Sequence, residues 1–456
     1  MQSMTVEEIA RAVGGKLICG DPKAEITNFQ YDSREVGEGS LFVPIKGERV
    51  DGHKFIQQCF ESGAAAVFTE YDAPEGADKP FIRVDDTRAA LQKAAAYYRS
   101  RFPKLDLIGV TGSVGKTSTK EMIAAALSAG LNIMKTSGNK NSQIGMPLTM
   151  FDILPEHQAA VIEMGVSEFG EMDRLCDVSC PDIAVMTNIG NAHIENFKAR
   201  ENTRSEKLKI TNHFDENGVL YLNGDDELLR ELKGTLPFST VTFGTGEDND
   251  YYAKDITAEG LGTVFTCVND GRETVFRIPA LGVHNVCNAL AAVAIARQLG
   301  ISDADIQAGL STYKNAPMRQ QITQLEDITL IDDSYNASPE ATKVSLDVLK
   351  SISKGRSIAV LADMLELGEQ SAQLHYSVGQ HLAQIGVDCL IAIGRLSENT
   401  ARGAEENGCN DVSTAANNDE AFDILKTKLT KGCTVLVKGS RGMHTDVICS
   451  ELRAQG

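Results

Sequence analysis

No stretch of the 456 residues is apolar for long enough to cross a membrane, and the N-terminal run MQSMTVEEIARAVGG is acidic and amphipathic, without a signal-peptide core. Both absences lead to the expectation of a cytoplasmic chain. Paired cysteine spacings are missing as well. Ten cysteines are scattered, and although Cys176 and Cys180 stand four apart, no second pair and no nearby histidine pair completes a zinc set. Reduced, structural thiols are expected. Positive charge is short: 44 Lys and Arg against 63 Asp and Glu give a net charge of −19. That argues against nucleic acid or an anionic membrane surface as a main partner, while a local Lys/Arg pocket can still take a small anion. Internal repeats, low-complexity tracts and heptads are also lacking. What remains is a globular composition, 42% hydrophobic, in a chain too long for one core, so two to four domains are expected.

The densest signal is Val110-Thr111-Gly112-Ser113-Val114-Gly115-Lys116-Thr117-Ser118-Thr119-Lys120. An apolar run from Leu105 leads in and a helix-like run from Glu121 to Ser128 leads out. Strand, glycine loop, Gly-Lys-Thr and helix make the layout of a phosphate-binding loop. Small residues let successive N–H groups face an anion, and the helix adds its positive dipole end. Lys116 can reach a terminal phosphate and the Thr117 hydroxyl can hold magnesium. The commoner spacing has a first glycine where this chain has Val110. An ordinary glycine turn is the competing reading.

Residues 1–83 alternate short strands and helices. Thr5 caps a helix over Val6 to Val13, Ser40 to Gly47 reads as a strand ending in a loop, Ile56 to Ser62 as a helix and Ala64 to Phe68 as a strand. Ser33, Arg34, Lys46, Arg49 and His53 are donors in the loops, which suit solvated turns and an anion pocket equally. Residues 84–316 carry the phosphate loop. Thr136 to Pro147 is a polar loop, and Ala159 to Met164 and Ile183 to Met186 are buried strands. Lys116, Thr117, Glu163 and His193 each follow a strand end, where ligands of an open parallel sheet gather. A carboxylate and a hydroxyl suit magnesium. A lone histidine such as His193 reads equally as a ligand or as a packed residue. Lys207, in a helix over Arg200 to Phe214, reads as a surface lysine. Polar segments with short strands run to about Pro279, and Gly282 then opens an Ala-rich helix containing His284, Asn285 and Asn288. Residues 317–456 form a second doubly wound α/β unit with strands Ser357 to Leu361, Cys389 to Ile393 and Thr434 to Val437.

Thr111 to Thr117 resembles the ATP loop of the Mur ligase and folylpolyglutamate synthase superfamily, whose T-G-[ST]-x-G-K-[ST] spacing accounts for Val110. The resemblance spans nearly the whole chain. Asp32-Ser33-Arg34 and the Leu-Phe-Val…Lys-Gly…Asp-Gly-His elements are similar to the ligases that extend the peptide late in the pathway. Ser118-Thr119-Lys120, Asp332 to Pro339, and Asp363 to Gly368 with His375 are similar to the last of these, and the D-N-P-R signature of the preceding ligase is absent.

The resemblance implies an α/β protein of three domains: a small N-terminal substrate domain (1–83) for the UDP-sugar peptide, a central P-loop domain (84–316) and a C-terminal Rossmann-like domain (317–456) that closes on ATP and binds D-Ala-D-Ala. It implies a monomeric ligase of peptidoglycan synthesis that joins D-Ala-D-Ala to UDP-MurNAc-tripeptide through an acyl phosphate. In that pattern Thr111, Gly112, Ser113, Val114, Gly115, Lys116, Thr117 and Ser118 cradle the ATP phosphates. Asn285 and Asn288 serve the adenine side, and Arg319 and Asp333 reach ATP from the C-terminal domain. Thr117 and Glu163 hold one magnesium, and Glu163 and His193 a second. Lys207 aligns with the lysine that is carbamylated in the superfamily and becomes a further metal ligand; Lys209 is its rival by a two-residue shift. Lys116, Lys207 and His193 would be the catalytic set. Substrate contacts fall to Ser33, Arg34, Lys46, Arg49, His53, Asn139 and Asn141, and to Asn336, Lys438, Ser440 and Arg441. Ser142, Ser338, Ala362, Lys209 and Thr445-Asp446 depart from the usual residues. The rival readings are a folate or diamino-acid ligase of the same superfamily and a nucleotide-dependent switch.

Overall fold

The computed structural model describes every residue except Glu48, Arg49 and Gly456. Its framework is three separate sheets of five, nine and six strands, with a small two-stranded pair near the N-terminus. The N-terminal sheet runs in the order Lys16–Cys19, Phe81–Arg83, Ala66–Thr69, Ser40–Phe42 and Asn28–Gln30, with only its first pair antiparallel. The helix Val6–Val13 opens on a capping box between Thr5 and Glu8, which satisfies two N-terminal backbone donors, and it closes on Gly14 at φ 68°.

The helix Thr87–Ser100 ties this unit to the central one. Its Tyr98 hydroxyl donates to the Ile153 carbonyl (2.7 Å), and Arg99 donates to the Ser179 carbonyl (3.2 Å). Phe29 of the N-terminal sheet stacks on Phe151 at 4.0 Å, so one hydrophobic core runs through both.

The central sheet has the order Arg272–Ile278, Gly262–Asn269, Tyr251–Glu259, Ser239–Gly244, Val219–Asn223, Ile183–Met186, Asp106–Thr111, Ala159–Glu163 and Ile133–Lys135. The middle strands are buried and mainly apolar along nearly their whole length, as parallel strands covered on both faces must be. Asp106–Thr111 is flanked by Ala159–Glu163 on one side and Ile183–Met186 on the other. The chain therefore reverses its winding beside the phosphate loop, which is where doubly wound sheets bind ligands.

One expectation is corrected here. The region before Pro279 holds three well-formed strands of nine, eight and seven residues, which extend the sheet as an antiparallel meander. Ala253, Phe265, Cys267, Phe276 and Ile278 point into the core that includes the helix Val283–Gln298. The opposite face is polar, and that diluted the apolar signal. The helix expected over Arg200 to Phe214 is also shorter. It ends at Leu208, and one 3₁₀ turn, Lys209–Thr211, follows.

The C-terminal sheet, ordered Gln321–Gln324, Thr329–Asp332, Thr434–Lys438, Ser357–Ala362, Cys389–Ile393 and Val412–Ala415, is parallel except at its first pair. Separate hydrophobic clusters cover its two faces, as a doubly wound sheet requires.

Candidate active site

Gly112 stands at φ 148°, and a Cβ there would lie 1.9 Å from the Thr187 hydroxyl. Gly115, at φ 85°, turns the chain into the helix Lys116–Ser128. Only glycine meets both demands without strain. The loop between them is braced from the next strand end. Ser113 N donates to the Asn188 carbonyl (3.0 Å), Val114 N to Asn188 Oδ1 (2.9 Å), and the Thr187 hydroxyl to the Val114 carbonyl (2.5 Å). Lys116 Nζ folds back onto the carbonyls of Gly112 (2.8 Å) and Ser113 (3.3 Å). Burial lowers its pKa, with Glu163 opposing and Arg319 adding to the shift.

Glu163 is buried at the end of its strand. Its Oε1 accepts from the Thr117 hydroxyl (3.1 Å) and from Asn141 Nδ2 (2.7 Å), so these three predicted residues meet. Its Oε2 is buried without a hydrogen bond, 3.7 Å from the ammonium of Lys120. Lys120 is fully buried, donates to the Thr136 carbonyl (2.8 Å) and pairs with Glu121 (3.0 Å). Lys120 carries no role of its own in the sequence reading, although its position one helical turn after Lys116 is a clue. An acceptor oxygen without a hydrogen, beside a hydroxyl, fits a hard divalent cation. Among the described residues, no three His, Cys, Asp or Glu side chains already cluster as a metal site.

Lys207 is 2% exposed and has no hydrogen bond or ion pair among the described residues. Burial holds its pKa well below the ordinary lysine value, and the nearby Lys116 charge adds to this against Glu206 and Glu171. Its rival Lys209 is half-exposed and pairs with Asp173 (2.6 Å) and Glu206 (2.9 Å), which raise its pKa. His193 takes a left-handed conformation at φ 58°, and its Nδ1 lies against a carboxylate oxygen of Glu366 in the C-terminal unit. It makes no recorded contact with Glu163, the partner expected for it in a shared metal site.

On the far side of the loop, Asn288 Oδ1 accepts from Thr119 (2.8 Å) and its Nδ2 donates to Asn285 Oδ1 (3.2 Å). Asn285 in turn donates to the Leu281 carbonyl (2.8 Å). His284 contacts Gln320 Oε1 through Nε2 (3.1 Å), and burial depresses its pKa to about 4. Gln320 N donates to Asp333 Oδ1 (3.1 Å), and Asp333 Oδ2 accepts from Lys438 (2.5 Å) and Ser345 (2.6 Å). Lys438 also donates to the Asn336 carbonyl (2.9 Å), and burial lowers its pKa against the pull of Asp333. Arg319 stacks on the Tyr335 ring at 4.1 Å, Ser440 Oγ accepts from Leu365 N (2.9 Å), and Arg441 N reaches Asn336 Oδ1 (3.4 Å). A cavity of about 610 Å³ lies between the central and C-terminal units. The phosphate loop, His193, Asn285, Asn288, Arg319, Asp333, Asn336, Lys438, Ser440 and Arg441 line it.

The described N-terminal donors do not line that cavity, and Arg34, Lys46 and His53 are engaged locally. Asp32 holds Arg34 through two oxygens (2.9 and 2.6 Å), and that guanidinium draws the Asp32 pKa down to about 2. Lys46 pairs with Glu70 (2.5 Å). His53 Nδ1 meets Asp51 (2.6 Å) while its Nε2 accepts from Glu70 N (3.1 Å). The Ser33 side chain has no hydrogen-bond partner among the described residues, and Arg49 lies outside them. Asn139 contributes a carbonyl to Asn141 N (2.7 Å), and Asn141 itself serves Glu163.

Comparison with known proteins extends over the same three units. The Mur ligase family catalytic domain matches residues 25–99, the Mur ligase middle domain residues 110–296, and the Mur ligase glutamate ligase domain residues 318–441. A Bacillus subtilis protein named UDP-N-acetylmuramoyl-tripeptide–D-alanyl-D-alanine ligase is 39% identical, with 99% of each chain covered. The crystal structure of MurF from Acinetobacter baumannii superposes with a TM-score of 0.92 at 31% identity, covering 100% of this chain and 99% of the other. MurF ligase from Thermotoga maritima, solved in complex with ADP, gives 0.84 at 29% identity, covering 94% and 97%.

Proposed function

The chain belongs to the Mur ligase family, and we propose that it is the ATP-dependent ligase joining D-Ala-D-Ala to the terminal carboxylate of UDP-MurNAc-tripeptide, the step that completes the pentapeptide precursor of peptidoglycan. One observation carries this reading beyond homology. The phosphate loop and its Lys116 open into a cavity whose opposite wall, Asp333, Asn336, Lys438, Ser440 and Arg441, belongs to a second domain. An ATPase that only switches needs no such wall. A ligase must hold a second substrate against the activated first one.

A carboxylate is too poor an electrophile to take an amine directly. Its oxygen attacks the γ-phosphorus, the bond to ADP breaks, and an acyl phosphate forms. The amine nitrogen of D-Ala-D-Ala then attacks the acyl carbon, phosphate leaves, and the nitrogen loses a proton. Lys116 is half-buried at the cavity wall, and its partial desolvation strengthens the action of its charge on phosphate oxygens. Loop amides at the helix start add further donors. Arg319, stacked on Tyr335, faces the same anion from the C-terminal side. The Asp333–Lys438 pair fixes the wall against which the dipeptide would rest. Holding the reactants in line is most of what such a site supplies.

Thr117 and Glu163 are suited to hold one magnesium, and Glu163 with His193 a second; when bound, the metal neutralises charge on the phosphates. Lys207 is suited to become a carbamate, because burial favours its uncharged amine, the form able to add to carbon dioxide. Its isolation favours it over the ion-paired Lys209. The N-terminal sheet unit (1–83) would take the UDP-sugar peptide, the central unit (84–316) ATP, and the C-terminal unit (317–456) the dipeptide. The chain would act as a cytoplasmic monomer; among the described residues no helix is long and apolar enough to cross a membrane.

The test is phosphate release from ATP with UDP-MurNAc-tripeptide, adding D-Ala-D-Ala or single amino acids in turn. The reading requires release that depends on D-Ala-D-Ala. Release indifferent to any acceptor would favour a switch, and dependence on a single amino acid would favour another ligase of the superfamily.

A further inference from the structure

Two acidic side chains of the C-terminal unit reach into the central-domain loop that carries His193. Glu340 Oε1 accepts from Asn191 N (3.2 Å) and from Asn191 Nδ2 (2.6 Å). Glu366 Oε2 lies against His193 Nδ1, and its carbonyl accepts from Glu195 N (3.3 Å). The docking is apolar as well: Ile194 belongs to the same buried cluster as Met364 and Leu367. The contacting turn is held in unusual geometry. Glu366 stands at φ 63°, in the left-handed region that a non-glycine residue enters at a cost, and Gly368 at φ 55° packs on Glu195. Such a turn persists when its surroundings fix it. His193 Nδ1 is buried and has no aligned hydrogen bond, and the carboxylate of Glu366 is the acceptor in contact with it.

We propose that Glu366 is a positioning residue for His193. Docking of the C-terminal domain sets the Glu366 carboxylate on Nδ1, so the ring proton resides there and Nε2 keeps its lone pair for a divalent cation. A carboxylate behind an imidazole fixes both the tautomer and the ring plane of a metal-ligating histidine. The central domain alone lacks this carboxylate, so the metal site is completed only when the third domain arrives. The inference rests on the reading of His193 as a metal ligand.

The experiment uses the full-length chain with Glu366→Ala and Glu366→Gln. The side chain is 57% exposed, so both variants should fold. Calorimetric titration of ADP at a series of Mg²⁺ concentrations reads metal-coupled nucleotide binding without any peptide substrate. Glu366→Ala should need ~10-fold more Mg²⁺ for half-maximal coupling, with metal-free ADP affinity unchanged. Glu366→Gln, which keeps an acceptor oxygen, should fall between the two. A Glu366→Ala chain with the parental Mg²⁺ requirement overturns the proposal, as does an equal loss of ADP affinity with and without metal. A parental chain that couples Mg²⁺ to ADP as described but ignores D-Ala-D-Ala would overturn the ligase reading and leave this one standing.

Discussion

Replacing Lys438 by Met would leave the Asp333 carboxylate buried with its main counter-charge gone. The side chains of Lys438 and Asp333 are 4% and 8% exposed, and their charged atoms are 2.5 Å apart. Ser345 (2.6 Å) and the Gln320 amide (3.1 Å) would still donate to Asp333, but neither carries charge. Removing one partner of a buried pair costs about 3–5 kcal/mol, whereas replacing both is often close to neutral. A unit of this size loses ~3 °C of melting temperature per kcal/mol, so the single change should lower the C-terminal transition by roughly 10–15 °C. Asp333→Asn combined with Lys438→Met should recover more than half of that loss. Differential scanning calorimetry of the parent, both single variants and the double variant gives the coupling energy directly. If the double variant loses the sum of the two single losses, the two charges act independently, and the account of the cavity wall given above fails.

Lys116→Ala should abolish ATP-dependent turnover while leaving the melting temperature close to the parental one; turnover near the parental rate would remove the loop from the mechanism. Lys207→Ala should lose most activity and regain part of it when short carboxylates are supplied, and full activity without them would refute the carbamate. His284 has its pKa depressed by burial from 6.5 to about 4. The unfolded chain therefore binds this proton first as pH falls. The stabilising contribution of the neutral ring is complete above about pH 6.5 and declines toward pH 4 by on the order of 2–3 kcal/mol. Replacing His284 with Gln should flatten that part of the stability profile, and an unchanged slope in urea unfolding between pH 4 and 6.5 would contradict it.

The central strands most legible from sequence share one property: both of their faces are buried. Ile183–Met186 and Cys389–Ile393 lie where their unbroken apolar runs put them, because a strand covered on both sides has no polar alternation to disguise it. Tyr251–Glu259 and Arg272–Ile278 are obscured by the opposite arrangement, with several residues of each facing water. In the site, Lys116, Thr117 and Glu163 could be placed because each follows a strand end, and strand order brings such ends together. Pairings across domains have no such rule. Arg34 and His53 pair with Asp32 and Asp51 two residues before them, but the partner of Lys46 is Glu70, in another loop, and Glu366 is 173 residues from the histidine it touches.

Lys116 rests on the carbonyls of its own loop, and this changes what nucleotide binding involves. An ammonium pointing into an open cleft would attract any passing anion and would have to be stripped of water for each one. Here the ammonium is already partly desolvated and already has acceptors, so an arriving phosphate exchanges with two backbone oxygens, and a departing one hands them back. Selectivity then comes from the comparison between those two sets of acceptors. A lone chloride or carboxylate offers too little to win the exchange, whereas a polyphosphate that also engages the loop amides offers enough. Release of ADP after each round meets little resistance at this position, because the loop itself supplies the replacement ligand.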